Sequence, residues 1–271
     1  MAKEVAMANL ISTATVLFSS GIDSLACAIW AKREYDYVAG LYIDIGVPYT
    51  DHEIQACRKL SAQLHLPWEL EHFPFLGFLS GSSGHVPFRN IFFLEMAALH
   101  PIHTENVVFG MLQGEYSEDK SPAFVKRMQK LFDSQTAKNL YNKGSRIQIQ
   151  TPFASFTKTQ VVKWMLDTGV SVDMLKTTIG CLQSKACGQC MSCLNRWIAF
   201  ENNNLFDMDE YEYEHPAKWG LAKLSSKDYK EARSYISFWK KRKWLADVHK
   251  AYRSAKQRGV VTDTPLERIF Q

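Results

Sequence analysis

Between Leu17 and Ser24 the chain reads Leu-Phe-Ser-Ser-Gly-Ile-Asp-Ser, a run whose residue types suit the holding of an anion. The apolar stretch before it reads as a strand and Ile22 opens a helical pattern, so the small residues between them form a turn. Such a strand-to-helix turn aims unpaired backbone N–H groups and the positive end of a helix dipole at one point, where a phosphate can sit. Phe18, Ser19, Ser20, Gly21, Ile22, Asp23 and Ser24 are therefore assigned to phosphate binding. Ser19, Ser20 and Gly21 let the backbone close on the anion, Asp23 can reach a metal ion, and Ser24 can donate its hydroxyl to a phosphate oxygen. No Gly-Lys-Ser/Thr follows and no Gly-x-Gly-x-x-Gly is present, which sets aside the Walker loop and the dinucleotide fingerprint.

The second chemical cluster is Cys181, Cys187, Cys190 and Cys193, spaced C-x5-C-x2-C-x2-C, with Gly188 permitting a tight knuckle. Four thiolates so close suit tetrahedral coordination of a soft to borderline cation, and zinc is the simplest reading. An iron–sulfur cluster remains the rival, since spacing alone does not separate the two. Disulfides fit less well: we read no secretory signal, and Cys27 and Cys57 fall in helix-like apolar patterns where free thiols pack as small hydrophobes. His52, His72, His85, His100 and His103 are scattered, and none is assigned a ligand role.

The elements that must position these groups follow from periodicity. Strands are expected at Ala14–Phe18, Val38–Ile43, Trp68–Phe73, Asn106–Gly110 and Ile147–Gln150. Helices are expected at Ile22–Arg33, Asp51–Leu64, Arg89–His100, Pro122–Phe132, Lys158–Thr168 and Cys190–Glu201. This βαβα alternation predicts an α/β fold, a parallel sheet with helices on both faces and ligands at the carboxyl ends of the strands. Segments Leu76–His85 and Gly114–Ser121 read as loops over that site. Three units are expected: an α/β domain carrying the phosphate turn over 1–175, a small zinc-binding helical lobe over 176–215, and a basic helical extension over 216–271.

The chain has 271 residues, 46% of them hydrophobic, and a net charge of +4 that is unevenly spread. From Ala217 onward there are 14 Lys and Arg against 5 Asp and Glu, which leaves 18 against 23 for everything before. Lys240-Lys241-Arg242-Lys243 sits among Phe238, Trp239 and Trp244, a mixture that can track a nucleic-acid backbone and stack on bases. The favoured alternative is an amphipathic appendage or dimer arm whose aromatic face packs while its lysines stay solvated. No apolar run approaches the ~18 residues of a membrane span, and a cytoplasmic protein is expected.

The loop at Ser19–Ser24 resembles the SGGxDS pyrophosphate loop of enzymes that split ATP into AMP and pyrophosphate, with Ser20 standing where those enzymes carry their first glycine. Four further segments follow in order: Val86-Pro87-Phe88-Arg89-Asn90, then Gly110 with Glu115-Tyr116-Ser117, Asp119 and Pro122-Ala123-Phe124, then Thr151-Pro152 with Thr157-Lys158, then the cysteine knuckle. Together, over Thr15–Phe200, they resemble the 7-cyano-7-deazaguanine synthase family, also called QueC. Two departures stand out. Phe88 replaces the family's glycine in Val-Pro-Gly-Arg-Asn, and Asp44-Ile45-Gly46-Val47-Pro48-Tyr49 replaces an Asp-Tyr-Gly segment followed by basic residues.

The resemblance implies an ATP-dependent ligase that joins ammonia to 7-carboxy-7-deazaguanine through an acyl-adenylate and an amide, ending at the nitrile, with ATP, Mg²⁺ and a structural Zn²⁺. On that basis Asp23, Ser24, Arg89 and Lys158 are the catalytic candidates, and Asp119 is a second metal-organising carboxylate. Arg89 would fork onto phosphate or carboxylate. Tyr42, Asp44 and Gly110 would border the adenosine pocket. Two other readings share the first chemical step: a relative that stops at the amide or joins a deazaguanine to a protein, and a tRNA-modifying adenylase using the basic tail.

Overall fold

The computed structural model describes residues 12–75, 77, 86–100, 105–114, 119–136, 147–183, 185–224, 229–241 and 243–262. Glu115, Tyr116, Ser117, Arg242 and most of the Leu76–His85 loop lie outside them. Five strands, β1 (Thr13–Leu17), β2 (Tyr37–Asp44), β3 (Trp68–His72), β4 (Asn106–Val108) and β5 (Gln148–Gln150), form one sheet in the order β3-β2-β1-β4-β5. Every neighbouring pair is parallel, with Val16 opposite Gly40 on one side of β1 and Val108 on the other. The order reverses at β1, so a crevice opens between the ends of β1 and β4, where ligands of such sheets bind.

The strands bury both faces, as a parallel sheet covered by helices requires. Val16 and Val38 face α1 (Ile22–Glu34) and α2 (Thr50–Leu64), whereas Leu41, Ile43 and Val107 face α3 (Arg89–Leu99) and α4 (Pro122–Thr136). Helix α1 is buried on nearly every side, from Leu25 through Ala31, and this explains its run of Ala and Cys rather than an amphipathic pattern. α5 (Lys158–Asp167) begins with a capping box between Thr157 and Gln160.

Beyond α5 come α6 (Val172–Thr177) and α7 (Met191–Glu201). α6 is a helix that periodicity does not reveal, being only six residues long and started by the Ser171 side chain, which accepts the Met174 N–H. Helix α7 carries buried polar groups that bind its surroundings. Arg196 pairs with both carboxylate oxygens of Asp209 at 2.8 and 3.0 Å and also donates to the Leu175 carbonyl.

The basic tail forms α8 (Pro216–Leu224), α9 (Tyr229–Lys241) and α10 (Leu245–Gln257). Trp239 and Tyr252 are fully buried and Trp244 nearly so, in the same apolar cluster that contains β1 and α1. Trp239 Nε1 donates to Asn195 Oδ1 at 3.2 Å, and Tyr252 Oη donates to the Ala217 carbonyl at 3.1 Å. At the end of α7, buried Glu201 accepts two bonds from the Arg258 guanidinium and one from Ser254. Lys240, Lys250, Arg253 and Lys256 stay exposed. Among the described residues no helix is long and apolar enough to cross a membrane.

Two non-glycine residues near the crevice take left-handed backbone conformations, Ser20 at φ 59° and Phe88 at φ 58°. A side chain there costs roughly 1–2 kcal/mol. Phe88 is 70% exposed, so its side chain recovers little by packing. Replacing it by glycine relieves the strain but frees the unfolded chain by about 0.4–1 kcal/mol. Phe88→Gly is expected to raise the unfolding free energy by about 0.5–1 kcal/mol net in urea titration. Trp239→Ala is expected to lower it by about 3–5 kcal/mol, through the cavity left in the shared core, and an unchanged midpoint would show that the tail is not part of that core.

Candidate active site

The Ser19–Ser24 loop is built from both ends. β1 stops at Leu17, the Phe18 N–H still pairs with the Leu41 carbonyl, and Gly21 takes an extended conformation as N-cap of α1. Inside the turn the Ser24 hydroxyl donates to the Gly21 carbonyl at 3.0 Å and accepts the Ser19 N–H at 3.2 Å. The left-handed Ser20 turns its carbonyl outward to the Ile179 N–H at 3.0 Å. The segment leading into the cysteine knuckle thus closes the loop from outside.

Asp23, in the first turn of α1, faces Lys158, whose ammonium lies 3.2 Å from both carboxylate oxygens. Its Oδ1 is buried and accepts no well-aligned hydrogen bond, so electrostatic pairing with Lys158 leaves capacity for a further cation. Gly110, just past β4, lies beside Asp23, where an added Cβ would make an ordinary contact at 3.6 Å with the Asp23 Cβ.

A cavity of about 280 Å³ spans the ends of β1, β2 and β4. Phe18, Ser19, Gly21, Asp23 and Ser24 line one side, with Tyr42, Arg89 and Gly110 completing the set expected from sequence. Ser20 and Ile22 are buried behind the loop, and Lys158 reaches the cavity through Asp23. Asp44 is not among the lining residues. Its carboxylate instead fixes the turn after β2, accepting from the Gly46 N–H at 2.7 Å and the Thr50 hydroxyl at 3.1 Å, with His72 beside it at 3.1 Å. Asp119 also stands behind the wall, buried, with the Asn90 N–H 3.5 Å from its carboxylate.

Several wall residues carry no motif. Glu53, in the first turn of α2, accepts the Tyr42 hydroxyl at 2.8 Å, and burial pushes its carboxyl up to about 7 against the pull of Tyr42 and Arg89. Arg89, at the start of α3, reaches the Tyr49 hydroxyl and opposes the burial that raises that phenol. Lys120 and Leu182 complete the rim. The available signal for Glu53 is position: it stands in the first turn of the helix that follows β2, where an acidic side chain meets the crevice.

The four cysteines converge. One ligand atom from each lies within 4.8 Å of all the others, and the Cys187 and Cys193 sulfurs are 3.9 Å apart. A tetrahedron with metal–sulfur bonds of ~2.3 Å has edges of about 3.8 Å. Backbone N–H groups of Gln189 and Cys193 point at the sulfurs of Cys187 and Cys190 at 3.4 Å, as suits thiolates. The knuckle has no room for a side chain at Gly188, φ 75°, where a Cβ would overlap the Glu214 carbonyl. The donor set and its spacing therefore fit a tetrahedral metal ion, and Leu182 beside Cys181 brings this centre to the cavity rim.

A family model described as Queuosine biosynthesis protein QueC matches residues 13–85 and 79–204. Among curated proteins, the 7-cyano-7-deazaguanine synthase of Methanosphaerula palustris is 30% identical over 226 residues, covering 73% of this chain and 99% of that protein. The protein of the same name from Methanoculleus marisnigri is 31% identical over 227 residues, covering 73% and 98%. That of Chlorobium luteolum is 27% identical over 226 residues, covering 73% and 96%. Running from β1 through the phosphate loop and the cysteine knuckle to just past α7, the match establishes that this chain belongs to the QueC family.

Proposed function

We propose that this protein converts 7-carboxy-7-deazaguanine, ammonia and ATP into 7-cyano-7-deazaguanine, acting as a carbon–nitrogen ligase. The observation that carries the reading is the meeting, in one cavity, of the phosphate loop with a wall bearing Tyr42, Glu53 and Arg89. The two sides give a triphosphate and a planar acid a shared floor.

A carboxylate does not react with ammonia near neutral pH, because oxide is a poor leaving group. In our reading the substrate carboxylate attacks the α-phosphorus of ATP and pyrophosphate leaves. The Ser19–Ser24 backbone and the Ser24 hydroxyl hold the departing phosphates. Lys158, released from Asp23, moves its charge onto a phosphate oxygen, while the Arg89 fork holds the carboxylate. Mg²⁺, held by Asp23, would spread the charge that develops on the phosphates. Ammonia attacks the acyl-adenylate and AMP leaves with its oxygen, giving the amide. The amide oxygen then attacks the α-phosphorus of a second ATP and pyrophosphate leaves, after which loss of AMP and protons yields the nitrile.

Cys181, Cys187, Cys190 and Cys193 would hold Zn²⁺, which supplies a fixed crosslink between the Leu182 segment and α7. All four positions are filled by thiolates, so the centre is a staple rather than a site for substrate.

Incubation with 7-carboxy-7-deazaguanine, ATP, Mg²⁺ and ammonium, followed by mass spectrometry, is expected to show amide and then nitrile, with AMP and pyrophosphate. A product that stops at the amide would overturn the nitrile assignment. Asp23→Ala is expected to slow AMP formation at least about tenfold, ~1.4 kcal/mol of transition-state stabilisation, and undiminished pyrophosphate release from a folded variant would remove Asp23 from the mechanism. Elemental analysis is expected to give close to one zinc per chain, lost together with stability in Cys190→Ser. Iron with visible absorbance would replace zinc by a cluster.

A further inference from the structure

We infer that the Glu53 carboxylate, set in place by the Tyr42 hydroxyl on the cavity wall, is the specificity residue that reads the two N–H donors on the edge of a guanine-type base. The inference rests on the proposed substrate and deepens it, naming the group that separates this ring from the adenine of ATP. Glu53 is half-buried in the first turn of α2, and its backbone N–H is engaged by the Tyr49 carbonyl, so the side chain has a fixed origin. Tyr42 is buried in β2, and its hydroxyl occupies Glu53 Oε2 at 2.8 Å. A carboxylate has about four acceptor sites and no donor when ionised. The carboxylate lies on the wall of the cavity, so a base edge that reaches it meets an acceptor.

A guanine-type ring presents a ring N–H and an exocyclic amino group side by side, two parallel donors for the two oxygens of one carboxylate. Adenine presents one donor beside a lone pair, which an ionised carboxylate repels. A cavity that admits both rings in one reaction needs such a discriminator, and a site built to accept an N–H rejects strongly the analogue that lacks it, because its own buried acceptor is left unpaired. Burial raises the Glu53 carboxyl, and two N–H bonds from a bound base would favour its charged form.

The test compares equilibrium binding of 7-carboxy-7-deazaguanine with its analogue lacking the 2-amino group, on the full chain and on Glu53→Gln. The unaltered protein is expected to prefer the amino-bearing base at least about tenfold, and the variant to bind the two within twofold of each other, with ATP affinity unchanged. Tyr42→Phe, which keeps the buried ring, is expected to lose part of the preference and guards against a misfolded first variant. A preference retained in Glu53→Gln would overturn the inference. So would a loss of ATP affinity in the variant matched by weak binding of 2′-deoxy-ATP to the unaltered protein, which would assign the carboxylate to a ribose. A protein that shows the preference but forms neither amide nor nitrile would sink the proposed reaction and leave the assignment of Glu53 standing; one that binds neither base sinks both.

Discussion

The hydrogen bond from the Ile179 N–H to the Ser20 carbonyl is small, yet most of the site depends on it. Ser20 adopts a left-handed backbone that a serine enters only at a cost, and it is buried. The neighbouring segment supplies the partner that holds this conformation. Ile179 lies two residues before Cys181, so the geometry of the Ser19–Ser24 loop is tied to the geometry of the knuckle. The loop is thus closed by long-range structure rather than by its own composition, and this is how it tolerates a side chain where glycine would be easier.

The strand and helix boundaries were largely legible because a parallel sheet writes itself as short apolar runs separated by helical periodicity, and the observed elements fall within a few residues of that reading. The Ser19–Ser24 turn and the cysteine cluster were legible because their residues lie close together in the chain. Glu53, Tyr49 and Lys120 were not. They meet only when two different crossovers converge, β2 to α2 carrying Tyr49 and Glu53 and β4 to α4 carrying Lys120, and none carries a local signature. Asp44 misleads for the opposite reason: an acid at a strand's carboxyl end looks ligand-facing, but this one is consumed by the Gly46 and Thr50 donors of its own turn. α6 is too short to show a period.

The basic tail illustrates how composition and position separate. Its aromatic residues point inward against α7 and the sheet core, while Lys250, Arg253 and Lys256 remain on the outside of α10. Charge patterning alone describes only the outer surface. The inner surface is set by spacing, since Val248, Ala251, Tyr252 and Ala255 recur at three- and four-residue intervals on one face.

Helix α7 begins with Cys190 as its N-cap and ends at Glu201, with Cys193 facing the knuckle and Glu201 gripped by Arg258 of the tail. One rigid rod only eleven residues long therefore has both of its ends anchored to different parts of the chain. Local opening of either anchor must strain the other, because a helix of three turns transmits displacement along its axis with little bending. The rod and its two attachments are thus mechanically coupled through static contacts at both ends. The tail's helices are in this sense the far abutment of the cysteine cluster, and their inner face is coupled, through α7 and Ile179, to the Ser19–Ser24 turn.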